Sequence, residues 1–278
     1  MEFVNRGKAL IKPNLISVTR EEILKLCPLV GYTKSNGFVE MNSTIYHLKR
    51  KNILFLLNEL IGEIISEYFE LQTKKSIIVQ DETDFIISDT LSFALISKVF
   101  FESGLDYLHY DDFKDVKPNV YEGIFNLSRL NKFWDCNIGE WVLVDETALR
   151  VLKNDLKKLM VRDYSTKQKD RTINNFMFGY IGNNVKLMPV YDYEHSFANY
   201  TYDNLLDLPL FLESVREYIR NDYEFQSLFH KLMDFEFSLV TDKLEEQYGI
   251  ILNNSEKEKY NNVIEERQRL VREKKILG

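Results

Sequence analysis

Three polar side chains in one stretch carry the chemistry that this sequence suggests. Asp170 is followed five residues later by Asn175, and a second acid, Asp192, closes the stretch. Between them lie the apolar run Phe176-Met177-Phe178, the turn signal Gly182-Asn183-Asn184, and a short strand pattern over 185–191. Two acids and an amide are thereby set around a tight β-hairpin. That arrangement suits phosphoryl transfer. One acid orients a hydroxyl acceptor, while the amide and the other acid hold Mg²⁺ against phosphates. Mg²⁺ takes hard oxygen ligands and needs few of them from the protein. Asp, Arg and Asn in a polar loop also read as ordinary turn residues, so the elements around them have to decide.

Asp163 and Asp170 stand seven residues apart, Arg171 follows the second, and Asn175 and Asp192 come after. This pattern resembles the catalytic and metal loops of the HipA-like kinases, bacterial serine/threonine kinases that include several toxins. Their run has the form D-x-x-x-x-x-x-D-R-H-x-x-N, followed by a strand pair and an Asp. Thr172 stands here where the family has His, and Glu194 where it often has Gly. The resemblance implies that Asp170 is the catalytic base and that Asn175 and Asp192 bind metal, with ATP and Mg²⁺ as cofactors. It also implies an α+β, two-lobed protein-kinase-like fold, related to the phosphatidylinositol kinases. Residues 1–103 would form a small mixed N-lobe and residues 104–278 a mostly helical C-lobe.

Two further residues enter through the same resemblance. Lys12 ends a short β run, KALIK, just before Pro13. It matches the family's strand lysine that contacts nucleotide phosphates, although a lone lysine there also reads as a strand-edge residue. Asn58-Glu59 matches the helix pair whose glutamate fixes that lysine, with Glu63 one turn later as a rival. Only eleven residues precede Lys12, with Gly7 as the one glycine among them. The expectation is that a companion chain, or a later loop over 30–37, supplies the backbone N–H cradle for phosphates, or that the cradle is gone and ATP affinity is weak.

The elements that must position these groups follow from periodicity. Residues 51–71 carry Ile53, Leu57, Leu60, Ile61, Ile64, Ile65 and Tyr68 on one helical stripe, with Glu59, Glu63, Glu67 and Glu70 on the other side. Residues 139–161 read as a helix with Leu149, Leu152, Leu156 and Leu159 on one face. Strands are expected over 76–80 and in the apolar runs of 84–101, with the lobe boundary near Ser103-Gly104. A short helical or turn segment is expected over 17–26, a turn at Ser35-Asn36-Gly37, and a short helix after Pro118. Residues 194–204 read as a polar, aromatic loop, the counterpart of an activation segment. The tail from 205 reads as helical throughout, over 210–218, 224–248 and 255–275, the last starting at Ser255.

Composition bounds the rest. With 278 residues and 45% apolar content the chain can bury a sizeable core. A net charge of −7 argues against direct binding of nucleic acid or an anionic membrane. Cys27 and Cys136, far apart, read as reduced thiols, and the four histidines show no zinc spacing. No apolar leader is visible at the start, so a cytoplasmic location is expected. The leading reading is ATP- and Mg²⁺-dependent transfer to a protein Ser/Thr hydroxyl, with a protein substrate and a companion chain or antitoxin as partners. A kinase-fold binding protein and a small-molecule phosphotransferase stand as alternatives.

Overall fold

The computed structural model describes residues 3–5, 9–11, 16–18, 36–41, 44–49, 53–81, 93–98, 104–114, 130–168, 177–191, 193, 196–197 and 213–277. In chain order the strands and helices are β1 (Phe3–Asn5), β2 (Ala9–Ile11), β3 (Ile16–Val18), β4 (Asn36–Met41), β5 (Thr44–Lys49), α1 (Ile53–Tyr68), β6 (Ile77–Asp81) and β7 (Phe93–Lys98). There follow β8 (Asp106–Leu108), β9 (Lys132–Asp135), β10 (Glu140–Leu143), α2 (Glu146–Ser165), β11 (Phe178–Ile181) and β12 (Asn184–Leu187). The chain ends with α3 (Glu213–Asn221), α4 (Tyr223–Met233), α5 (Ser238–Tyr248), β13 (Ile250–Leu252) and α6 (Asn254–Glu273). The architecture is α+β, as expected, with helices and small, mainly antiparallel sheets.

The first half is organised by a five-stranded sheet in the order β3-β6-β7-β5-β4. Its strands alternate faces, as the two-residue period of a strand requires. Leu48, Val79, Ala94 and Ile96 form a small cluster on one face. On the other face Leu95 joins the main core with the buried stripe of α1, Leu57, Leu60, Ile61, Ile64 and Ile65. Lys49 is the register partner of Leu95 and so shares its face. Helix α1 ends in a left-handed residue, Glu70 (φ 59°), and the Leu71 N–H reaches back to the Ser66 carbonyl at 2.9 Å.

Helix α2 is the axis of the second half. Asp145 caps it, its Oδ1 accepting from the N–H groups of Thr147 and Ala148. Leu152, Leu156 and Leu159 are fully buried, which bears out the leucine face read from the sequence. The helix packs against α4, α6 and the hairpin strand β12. Lys157 ties it to the start of α4 through Asp222 (2.7 Å) and Glu224 (2.5 Å). Strands β11 and β12 pair across Gly182-Asn183, the expected turn, with Gly182 at a positive φ of 59°. Among the described residues no helix is long and apolar enough to cross a membrane.

Several expectations are corrected. The helix expected from residue 139 begins only at Glu146, because Glu140–Leu143 pairs with β9 as β10. Of the turn expected at Ser35-Asn36-Gly37, Asn36 and Gly37 open β4, which pairs antiparallel with β5, and Ser35 lies outside the described residues. Ser17 lies in β3 rather than in a helical segment, paired parallel with Gln80. The tail is not helical throughout, since β13 pairs with β2 from the start of the chain. The single helix expected over 224–248 is two, α4 and α5, with Phe235 and Phe237 buried at the break. The last helix is capped by Asn253, which accepts from the Glu256 N–H at 2.9 Å, and not by Ser255. The expected helix after Pro118 lies outside the described residues.

The α2 face gives a stability test. Leu156→Ala is expected to cost about 2–5 kcal/mol in urea unfolding. Val151→Ala, on the exposed side at 51% accessibility, is expected to stay within about 0.5 kcal/mol.

Candidate functional site

Glu59 is the sequence-assigned site residue that the structure describes. Lys12, Asp170, Asn175 and Asp192 lie outside the described residues, as do His195 and Cys27. Glu59 is 5% exposed, and its Oε1 accepts a hydrogen bond from the ammonium of Lys49. The lysine is itself mostly covered, at 15% side-chain exposure. The geometry is set by neighbouring elements. Strand β5 ends at Lys49, α1 starts four residues later, and Glu59 lies on the side of α1 that faces the sheet. A lysine and a glutamate placed this way are desolvated together, which stabilises them only as a pair.

Sequence reasoning assigned the lysine held by Glu59 to Lys12, which lies outside the described residues; among the described residues the lysine that pairs with Glu59 is Lys49. Strand β2, which ends one residue before Lys12, belongs to a separate sheet, β1-β2-β13. The signal for Lys49 was available. Residues 44–49 alternate as a strand and end in a lysine directly ahead of the helix that carries Asn58-Glu59.

Glu63 does something else. The sequence marked it as the rival to Glu59, on the side of α1 away from the apolar stripe, and it is 3% exposed. Its two carboxylate oxygens accept from the Ser76 N–H (2.8 Å) and hydroxyl (2.5 Å). Burial pushes its pKa up to about 7, against the lowering effect of the Ser76 bonds, with the nearby Glu59 adding to the rise. Glu63 therefore braces the segment after α1. Of the four glutamates, only Glu70 is exposed and Glu67 half-buried.

The flanks of the two acid-bearing stretches meet each other. Gln168, two residues before Asp170, accepts from the Ser196 hydroxyl at 2.6 Å. The Phe197 N–H donates to the Thr166 carbonyl at 2.7 Å. Tyr193, directly after Asp192, is fully buried, with its hydroxyl 3.0 Å from the hydroxyl of Ser66 on α1. The Arg162 guanidinium stacks 3.9 Å from the centre of the Tyr193 ring, and its Nη1 donates to Asp163 at 2.8 Å. Asp163, the first acid of the sequence pattern, is thus a buried ion-pair partner at the end of α2. On the other side of Asp192, Val190 bridges to Thr73, and Lys74 lies over the Tyr191 ring at 4.1 Å. Among the described residues no group of three or more acids, histidines or cysteines is placed to hold a metal ion.

Comparison with known proteins adds the fold. The chain superposes on the crystal structure of the proinflammatory kinase CtkA of Helicobacter pylori with a TM-score of 0.59, over 92% of this chain and 94% of that one, at 12% identity. The chain shares that kinase's fold. The kinase-like architecture expected from the resemblance is met at this level. The toxin–antitoxin protein HipA of Shewanella oneidensis MR-1, solved with HipB and operator DNA, also aligns. That match covers 93% of this chain and 67% of that one, at a TM-score of 0.47 and 12% identity. No family model matches the sequence, and no curated protein does.

The raised pKa of Glu63 gives a pH prediction. The folded state holds this proton more tightly than the unfolded chain, so stability from this group falls as pH rises from about 4.5 to about 7. Glu63→Gln, which has no such proton to lose, is expected to narrow the stability difference between pH 5 and pH 8 in urea unfolding. An unchanged difference would remove Glu63 as its source.

Proposed function

We propose that this chain is an ATP- and Mg²⁺-dependent kinase that transfers phosphate to a protein Ser/Thr hydroxyl. The observation that carries the reading is the Lys49–Glu59 pair, formed between a sheet strand and the next helix in a fold shared with a kinase. An ammonium held by a buried carboxylate keeps a fixed position, which is what contact with phosphate oxygens needs. The positioning role assigned to Lys12 from the sequence passes in this proposal to Lys49. Asp170 orients the acceptor hydroxyl and takes its proton. Asn175 and Asp192 are the proposed metal ligands. Mg²⁺-bound ATP supplies the phosphoryl group, and charge neutralisation around it accounts for most of the rate gain.

The two-lobed division at residues 103 and 104 is part of the proposal. The first lobe holds the five-stranded sheet and α1, and the second the acid-bearing stretches and α2–α6. With Lys49 in the positioning role, the phosphate-binding loop expected over 30–37 falls ahead of it in the chain; Asn36 and Gly37 open β4, and residues 30–35 lie outside the described ones. The companion-chain alternative differs in one outcome, because it requires that the isolated chain bind nucleotide weakly or not at all. Toxin activity and an antitoxin partner follow from the family resemblance and belong to the same proposal.

The test is calorimetric binding of Mg²⁺-bound ATP to the purified chain, followed by transfer to a generic protein acceptor. Lys49→Met is expected to weaken nucleotide binding by about tenfold or more, and Asp192→Ala to abolish its Mg²⁺ dependence. Asp170→Ala is expected to leave binding within about threefold and to cut transfer by at least about a hundredfold. Val151→Ala on the exposed face of α2 serves as the unaffected control. A folded chain that binds no nucleotide sinks the kinase reading for the chain alone.

A further inference from the structure

Asn58, the residue before Glu59, sits where helix α1 meets the flanks of both acid-bearing stretches. It is 6% exposed. Its side-chain nitrogen donates to the Ser196 carbonyl at 3.0 Å, and its Oδ1 accepts from the Tyr260 hydroxyl of α6 at 3.1 Å. A carbonyl can only accept, so the amide orientation follows from its partners. Ser196 continues the chain of bonds to Gln168, and the adjacent Phe197 N–H bonds Thr166. One buried side chain therefore joins α1, α6 and the turn four residues after Asp192.

The backbone at this crossing is unusual. Lys167 (φ 54°) and Phe197 (φ 60°) both occupy the left-handed region, which is unfavourable for residues with a β-carbon. Phe197 is the donor of the Thr166–Phe197 bond, and Lys167 directly follows its acceptor in the turn that ends α2. The Phe197 ring is fixed edge-on against Tyr260, with centroids 4.9 Å apart. Such backbone persists where surrounding contacts over-determine it, and it gathers at functional sites. Asn58, Tyr260 and Gln168 are the contacts that do so here. Gly62, one turn further along α1, adds to the fit, since a Cβ there collides with Tyr193 and Arg162 Nη2.

We infer that Asn58 is a positioning residue, which rests on the kinase reading above. It locks α1 to the Ser196–Phe197 turn, so that the Lys49–Glu59 pair and the acid-bearing stretches hold one relative placement before nucleotide binds. The role needs a donor and an acceptor on one short side chain. Asp, Ala and Leu each lack one or both. Asn58→Asp keeps the volume and turns an acceptor toward the Ser196 carbonyl.

Two measurements on the full chain test this. In the ligand-free protein, Asn58→Asp is expected to speed amide exchange at Ser196 and Phe197 by about tenfold or more, with α4 unchanged. With a non-hydrolysable ATP analogue, it is expected to reduce the affinity gained on adding Mg²⁺ by about tenfold, while Mg²⁺-free affinity stays within about threefold. A purely structural role would weaken both affinities alike. Wild-type Mg²⁺ dependence and wild-type exchange in this variant overturn the inference. If Asn58→Asp does not fold, Tyr260→Phe and Ser196→Ala replace it. Their combined effect on Mg²⁺-dependent affinity is expected to fall short of the product of the separate effects, and a full product overturns the lock. A wild-type chain without nucleotide binding instead removes the kinase reading, and the positioning role with it.

Discussion

A lysine and a glutamate withdrawn from water are stable when they meet, and Lys49 and Glu59 meet because a strand and the next helix bring them together. The lysine ends a strand whose neighbouring strands hold it toward the core face, and the helix that follows returns its second turn to the same place. Losing either partner would leave a buried charge uncompensated, which is why such pairs are costly to break even when their net contribution is small. The five-stranded sheet and α1 are consequently bound at a polar point as well as an apolar one.

Helix α1 is held on the opposite side by the end of the chain. Tyr68 donates to the Lys231 carbonyl at 2.9 Å, Lys231 pairs with Glu70 at 2.7 Å, and Lys243 pairs with Glu67 at 3.1 Å. The last two pairs are exposed or half-exposed and add little energy. The buried contacts of Asn58 and Tyr260, with the apolar stripe, do most of the holding. A helix anchored to sheet, acid-flanking turn and C-terminal helices has little freedom to swing.

Much of the outline was legible because it rests on local periodicity. The α1 stripe, the leucine face of α2 and the hairpin turn at Gly182-Asn183 each follow from residues close in sequence. What failed depended on distant partners. Strand β10 carries Trp141, Val142 and Leu143, a short apolar run that precedes a helix and merges with its pattern until β9 pairs with it. Strand β13 has three residues and exists through pairing with β2, more than two hundred positions away. The break between α4 and α5 was hidden because Phe235 and Phe237 continue the apolar pattern while being buried for another reason.

The candidate site divides in the same way. The sequence by itself determined which residue types are available, namely the acids and amide at Asp170, Asn175 and Asp192, the Asn58-Glu59 pair and the helix that carries it. Those assignments rest on spacing along the chain, which sequence preserves. Tertiary structure alone decided which lysine meets Glu59, that Glu63 is buried against Ser76, and that Gln168, Ser196 and Asn58 form one hydrogen-bonded crossing. Each of these joins groups from different elements. Periodicity says which face of an element is covered, and only packing says by what.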